Sequence, residues 1–207
     1  MPVNKIEAVI FDLGNVLLDF DHKIAAKRLA EFTKCSSKQM YELFFDSELT
    51  GLFEEGKISA NEFFLEVKRA LDLKIGYQEF VPIWNEIFSF SQKNHQVYDL
   101  ASSLKSRYRI ALLSNINLLH FEYVSKTFPI LDAFHNIVTS FEEKLRKPDH
   151  LIYRNTLRIL GSSAEGTFYT DDRQELIDSA KQLGIKGFTF TGIKKLKNDL
   201  LESGVIL

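Results

Sequence analysis

The sequence predicts an α/β fold in which a parallel sheet flanked by helices is interrupted by a long helical insertion. Three observations predict it. Short apolar runs alternate with helix-periodic segments over much of the chain. Residues 21–94 carry helix signals and no convincing strand. Several of the apolar runs end in polar residues capable of chemistry, the usual pattern where a parallel sheet presents its strand ends to a ligand.

The elements follow in order. Ile6 to Phe11 is a compact β-branched and aromatic run that reads as a buried strand ending at Asp12. Similar runs lie at Tyr108–Leu113, Asn136–Thr139, Thr167–Thr170 and Gly187–Phe190. Val97, Leu100, Ala101 and Leu104 fall at helical spacing before the second run. Leu176, Ile177, Ala180 and Leu183 do so before the fifth, with Gly184 as a C-terminal stop. Within the insertion, Ser59 and Glu62 form a capping-box pattern ahead of the stripe Phe63, Val67, Ala70 and Leu71. Ala25, Leu29 and Phe32 make a second stripe, and Phe80, Trp84 and Ile87 a third. The chain thus divides into a core of residues 1–20 and 95–207 and an insertion of residues 21–94. Phe44-Phe45, Phe63-Phe64, Phe88 and Phe90 place much of the phenylalanine in or beside this insertion, either as packing between short helices or as walls of a pocket.

Composition narrows the class of function. The chain has 207 residues, 26 basic against 28 acidic, and 45% hydrophobic content, enough for a buried core. Near-neutrality argues against a nucleic-acid binder or an anionic-membrane binder. The single Cys35 excludes an internal disulfide framework and a cysteine-based zinc cluster, and reads as a small, partly buried hydrophobe. With no apolar run of membrane length and no signal-peptide profile, a cytoplasmic domain is expected. Oligomeric state is silent in the sequence.

The first strand delivers Asp12, then Leu13-Gly14-Asn15. The second delivers Ser114 and Asn115. Arg146-Lys147-Pro148-Asp149 follows the third, and Asp171-Asp172 follows the fourth. Converging on one rim, these residues suit a phosphate ester bound with a divalent metal. Clustered carboxylates need a cation among them, and hard oxygen ligands suit Mg²⁺. A lysine and a hydroxyl can hold phosphoryl oxygens, and a carboxylate can attack phosphorus. Each element alone has a plain alternative: a Gly-Asn turn at 14–15, a helix N-cap at 114–115, a solvent lysine at 147, a helix cap at 171–172. Their co-occurrence in order at strand ends outweighs these.

Val9-Ile10-Phe11-Asp12-Leu13-Gly14-Asn15-Val16-Leu17, Leu112-Leu113-Ser114-Asn115, Arg146-Lys147-Pro148-Asp149 and Phe168-Tyr169-Thr170-Asp171-Asp172-Arg173 resemble the four ordered motifs of the haloacid dehalogenase-like hydrolase superfamily. The insertion is similar to the α-helical cap of one branch. Phe53-Glu54-Glu55-Gly56-Lys57-Ile58-Ser59 resembles a segment common in bacterial sugar-phosphatase-like members. The resemblance implies a Rossmann-like core and a Mg²⁺-dependent phosphatase acting on a small phosphorylated metabolite, sugar phosphates included. It implies Asp12 as nucleophile and metal ligand, and Ser114, Asn115 and Lys147 on the phosphoryl group, with Ser114 and Lys147 also catalytic. Asp172 would bind the metal directly, Asp171 would stand behind it, and the Gly14 carbonyl would supply a further ligand.

Two departures stand out. Related phosphatases carry an acid/base aspartate two residues after the nucleophile, where this chain has Gly14. General acid–base catalysis is worth about 10² to 10⁴ in rate, and neither Asn15 nor Asp19 is an obvious substitute. Leu176 stands where many relatives have asparagine. A slow phosphatase, or one selective for good leaving groups, is therefore expected. The alternatives are a phospho-ligand-binding protein without turnover and a carbon–halogen hydrolase. Asn117 and His120, following the second motif, could reach toward a substrate, but ordinary surface positions of a helix are expected for them; His22, His95, His135 and His150 show no metal-ligand spacing.

Overall fold

A computed structural model describes residues 5–44 and 47–207; Phe45 lies outside the described residues. In chain order the elements are β1 (Ala8–Phe11), β2 (Asp19–Phe20), α1 (His22–Leu29), α2 (Ser37–Phe44), α3 (Glu48–Glu54), α4 (Ala60–Leu71), α5 (Tyr77–Asn85), β3 (Phe88–Ser89), α6 (Gln92–Leu104), β4 (Arg109–Ser114), α7 (Leu118–Thr127), β5 (Asn136–Thr139), α8 (Ser140–Glu143), α9 (His150–Leu160), β6 (Thr167–Asp171), α10 (Gln174–Gln182), β7 (Lys186–Thr189) and α11 (Ile193–Glu202).

Five strands form one parallel sheet in the order β5-β4-β1-β6-β7. The central strand β1 is wholly buried, which accounts for its unbroken run of Ala, Val, Ile and Phe. Side-chain alternation sends Val9 and Phe11 to one face, where they join Ile110, Leu112 and Phe168 under α6, α7 and α11. Ala8 and Ile10 go to the other face with Ala111, Leu113 and Tyr169, covered by α9 and α10. The order reverses at β1, whose neighbours β4 and β6 lead away to opposite edges. The crevice beyond their carboxyl ends is where such sheets bind ligands.

The helices α1 to α5 bury a separate apolar cluster dominated by Phe44, Phe53, Phe63, Phe80 and Trp84. Phe53 stacks on Phe63 at 4.4 Å between ring centroids, and Phe80 stacks on Trp84 at 5.8 Å. The Ser59–Glu62 capping box forms as expected. Two expectations for this region need correction. The α4 stripe is Phe63, Phe64, Val67 and Leu71; Ala70 is exposed. The buried face is centred near Val67, which brings Phe64 in and leaves Ala70 at the edge. The region also contains a strand, β3, which pairs antiparallel with β2 over only two residues, too short for alternation to betray it. Cys35 is partly buried, its Sγ 3.7 Å from the Leu71 carbonyl.

Candidate active site

Asp12 follows the central strand, and its N–H continues the β1–β6 ladder by donating to the Thr170 carbonyl (2.9 Å). The residue is 7% exposed, and its carboxylate meets the Lys147 ammonium at 2.7 Å. That ammonium also reaches Asp171 Oδ2 (2.7 Å) and the Leu113 carbonyl (3.1 Å), so all three of its hydrogens have acceptors. Burial opposes the charge on Lys147, but Asp12 and Asp171 outweigh it and hold the ammonium above the ordinary lysine range.

Lys147 is held by its backbone as well. Asn115 accepts from the Lys147 N–H (2.8 Å) and donates to its carbonyl (2.9 Å). The side chain expected to face a substrate thus has both polar ends on Lys147, and what it supplies is position. Asp171 is fully buried. Its Oδ2 takes the lysine and the Tyr169 hydroxyl, and its Oδ1 accepts from the Arg173 N–H at the start of α10 (2.9 Å). Burial works against the Asp171 anion too, yet the lysine and these donors keep its carboxyl below the ordinary range. Asp172, partly exposed, accepts from Asn15 Nδ2 at 2.8 Å. Asn15 reaches it from a left-handed turn (φ +55°), a conformation that asparagine tolerates better than most residues.

Asp12, Asp171 and Asp172 each bring one carboxylate oxygen within 4.8 Å of the others. The one ammonium bonds two of these three carboxylates, and Arg173 offsets part of the charge on the third. Burial lifts the Asp12 and Asp172 carboxyls above the ordinary aspartate range, and the neighbouring Asp171 pushes both in the same direction. A donor set of hard oxygens with excess negative charge fits a divalent cation such as Mg²⁺. Ser114, at the end of β4, is 3% exposed and lines the same cavity.

The position of the missing aspartate is occupied in a different way. A Cβ on Gly14 would lie 2.7 Å from Cε1 of Phe20, so the ring edge fills the space that a side chain there would use. Asp19 is no substitute; it pairs with Lys93 and accepts from Ser91 Oγ (3.1 Å).

A cavity of about 440 Å³ opens over these groups. Phe20, Phe44, Ile87 and Phe88 form apolar walls; Thr50, Glu54, His22, His120 and Arg146 add polar ones. The phenylalanines accordingly divide: Phe63 and Phe64 are packing, Phe44 and Phe88 reach the cavity, and Phe90 packs on His95 and Phe128. The expectation that Asn117 and His120 are surface residues is wrong. They are 2% and 5% exposed, because α5 packs over this face of α7. Asn117 caps α7, and its Nδ2 lies 3.0 Å from His120 Nδ1, while His120 Nε2 lies 3.1 Å from the Trp84 carbonyl. A carbonyl only accepts, so the proton sits on Nε2 and Nδ1 accepts from Asn117. The His120 ring stacks on Trp84 at 4.8 Å, and His22 stands 6.1 Å away. Burial first, and for His120 then His22, lowers the two imidazoles to about 4 (His22) and about 3 (His120).

A parallel sheet that gathers buried carboxylates and a lysine beyond its strand ends is the framework of an enzyme acting on an anionic centre. The chain belongs to the haloacid dehalogenase-like hydrolases, whose family model matches residues 9–190. It is similar to the D-ribitol-5-phosphate phosphatase of Bacteroides thetaiotaomicron, at 23% identity over 189 residues (88% of this chain, 91% of that protein). It is also similar to a sesquiterpene phosphatase of Aspergillus oryzae, at 25% identity over 186 residues (89% and 90%). In fold it matches a crystal structure of a Bacteroides thetaiotaomicron enzyme of this family in complex with magnesium and inorganic phosphate. That match has a TM-score of 0.79 at 24% identity, covering 90% of this chain and 95% of the other. Among the described residues no helix is long and apolar enough to cross a membrane.

Proposed function

We propose that this hydrolase is a Mg²⁺-dependent phosphomonoesterase for a small phosphorylated metabolite, with Asp12 as its nucleophile. The observation that carries the reading is the Lys147 ammonium held between Asp12 and Asp171, with Asp172 completing a three-carboxylate cluster. An Asp12 oxygen attacks phosphorus as the ester oxygen leaves, giving an aspartyl-phosphate, and water then returns Asp12 and inorganic phosphate. Lys147 holds Asp12 in line and neutralises phosphoryl oxygens; Ser114 donates to one of them. Asp12, Asp172 and the Gly14 carbonyl would hold the cation, with Asp171 behind them tying down the lysine. The cation supplies charge neutralisation at the phosphoryl oxygens. Residues 21–94 serve as a cap over a core of 1–20 and 95–207; Phe44, Thr50, Glu54, Ile87 and Phe88 on the cavity wall support this.

With the Phe20 ring against Gly14, no carboxyl at position 14 protonates the leaving oxygen. Rates should therefore fall steeply as the leaving alcohol becomes more basic. The same observation favours a second reading, a phospho-ligand-binding protein with little turnover. A panel of phosphate esters assayed with Mg²⁺ and with chelator separates the two. The first reading expects metal-dependent phosphate release that Asp12→Asn lowers by about 10³-fold or more. No release even from p-nitrophenyl phosphate would leave the second.

A further inference from the structure

Asn15 follows Gly14 in the loop beyond Asp12 and takes no part in the steps proposed at phosphorus. Its backbone sits at φ +55°, a conformation that glycine adopts without strain and asparagine tolerates. Main-chain bonds close the turn around it. The Asn15 N–H donates to the Leu18 carbonyl (2.8 Å), and the N–H groups of Leu17 and Leu18 donate to the Leu13 carbonyl (2.9 and 3.0 Å). Val16, Leu17 and Leu18 are fully buried and anchor the turn in the core. The Lys93 ammonium, paired with Asp19, lies 3.4 Å from the Asn15 carbonyl. The turn thus needs nothing from the Asn15 side chain, yet it fixes where that side chain starts. The amide crosses to a single carboxylate oxygen, Asp172 Oδ2 at 2.8 Å, 157 positions along the chain. An ionised carboxylate only accepts, so the amide nitrogen is the end that faces it.

We propose that Asn15 is a specificity-determining residue for the metal: by occupying Oδ2 it makes Asp172 a one-oxygen ligand and so favours Mg²⁺ over Ca²⁺. The proposal rests on the Mg²⁺-dependent phosphatase reading and deepens it. The two ions ask different things of a carboxylate. Mg²⁺ demands near-ideal octahedral geometry at about 2.0–2.1 Å, whereas Ca²⁺ gathers about 6–8 oxygens at longer range and often takes both oxygens of one carboxylate. Asp172, held at one oxygen, has the other to give. That suits the smaller ion and denies the larger one a two-oxygen grip. The remaining carboxylates cannot make up the difference. Asp171 is committed at both oxygens, to Lys147 and Tyr169 on one and to the Arg173 N–H on the other. Asp12 gives one oxygen to Lys147. Every carboxylate of the cluster therefore has an oxygen spent on the protein, and for Asp172 the residue responsible is Asn15.

The test titrates metal-free protein with MgCl₂ and with CaCl₂ in a calorimeter and reads the ratio of the Ca²⁺ Kd to the Mg²⁺ Kd. Asn15→Gly keeps the turn and removes the amide. It should raise the Mg²⁺ Kd by about 10-fold or more, the usual effect of losing a group that orients a ligand. The Ca²⁺ Kd should rise far less, because the freed carboxylate can close on the larger ion with both oxygens, so the ratio falls. Asn15→Asp, close to isosteric but with no hydrogen to donate, should lower the ratio in the same direction; it keeps the test open if the glycine variant misfolds. Variants that weaken both ions by the same factor overturn the proposal and leave Asn15 a fastener between the two loops. An unchanged or higher ratio overturns it as well. Wild-type protein that takes up no Mg²⁺ would sink the metal-dependent reading, and this one with it.

Discussion

The floor and the roof of the cavity are held together by different physics. The floor is polar and closely hydrogen-bonded: Lys147 has three acceptors, Asp171 is bonded at both oxygens, and Asn115 uses its whole amide on one backbone. The roof is a cluster of stacked rings in which Phe53, Phe63, Phe80 and Trp84 fix one another by contact. Hydrogen bonds specify the floor atom by atom, whereas packing specifies the roof by volume. Damage below should therefore cost chemistry as well as stability, whereas damage above should cost stability and leave the chemistry largely intact.

The largest effect should come from breaking the floor's central pair. Lys147→Met leaves Asp12 and Asp171 buried without their cation, and loss of one partner of a buried pair costs about 3–5 kcal/mol. Urea denaturation should show that loss, with turnover abolished as well. Phe63→Ala tests the roof. A fully buried ring in the stack should cost about 3–4 kcal/mol, yet the protein that remains folded should keep most of its kcat. A loss of kcat without a loss of stability would erase the contrast between the two regions.

A smaller effect probes their seam. Gly14→Asp alone should gain nothing, because the Phe20 ring stands where the new side chain begins. Combined with Phe20→Ala it should raise turnover of esters with basic leaving groups by about 10-fold, short of the roughly 10² to 10⁴ that a fully positioned general acid supplies. A gain from Gly14→Asp by itself would show that the ring yields readily.

The smallest effect is a slope. His22 and His120, lowered to about 4 and about 3, stay neutral in the folded protein, while the unfolded chain protonates them near 6.5. Their contribution to stability is complete above pH 6.5 and declines as pH falls toward those values, by up to about 1.4 kcal/mol per pH unit for each ring. His120→Gln should flatten the fall between pH 6.5 and 5 by about one proton's worth. An unchanged slope would mean that His120 takes up its proton without opening the roof.

Most of the floor is legible in the sequence because Asp12, Ser114, Asp171 and Asp172 stand at or just past the ends of short apolar strands; Lys147 lies further on, in the loop after α8. Asp12, Ser114, Lys147, Asp171 and Asp172 all line one cavity. The roof resisted, since helical periodicity reports which side of a helix is apolar but not what lies against it. Asn117 and His120 read as surface residues because nothing in α7 announces the helix α5 that packs over them. Glu54 and Arg146 meet on the cavity wall from far apart in the chain, and neither stands in a pattern that points to the other. Phe44 and Phe63 read alike in the sequence, although only one of them reaches the cavity.

The position of β1 has a consequence for how the protein comes into being. Ala8 pairs with Arg109 on one side and Thr167 on the other, so the strand before Asp12 waits about a hundred residues for its first neighbour and about 160 for its second. At a synthesis rate of roughly 5–20 residues per second, an apolar ribbon with two bare edges leaves the ribosome many seconds before either partner strand exists. Shielding it from other chains in that interval falls to whatever the emerging helices α1 to α6 can cover. The floor of the cavity is therefore completed late, when β6 arrives with Asp171 and Asp172 beside Asp12 and Lys147.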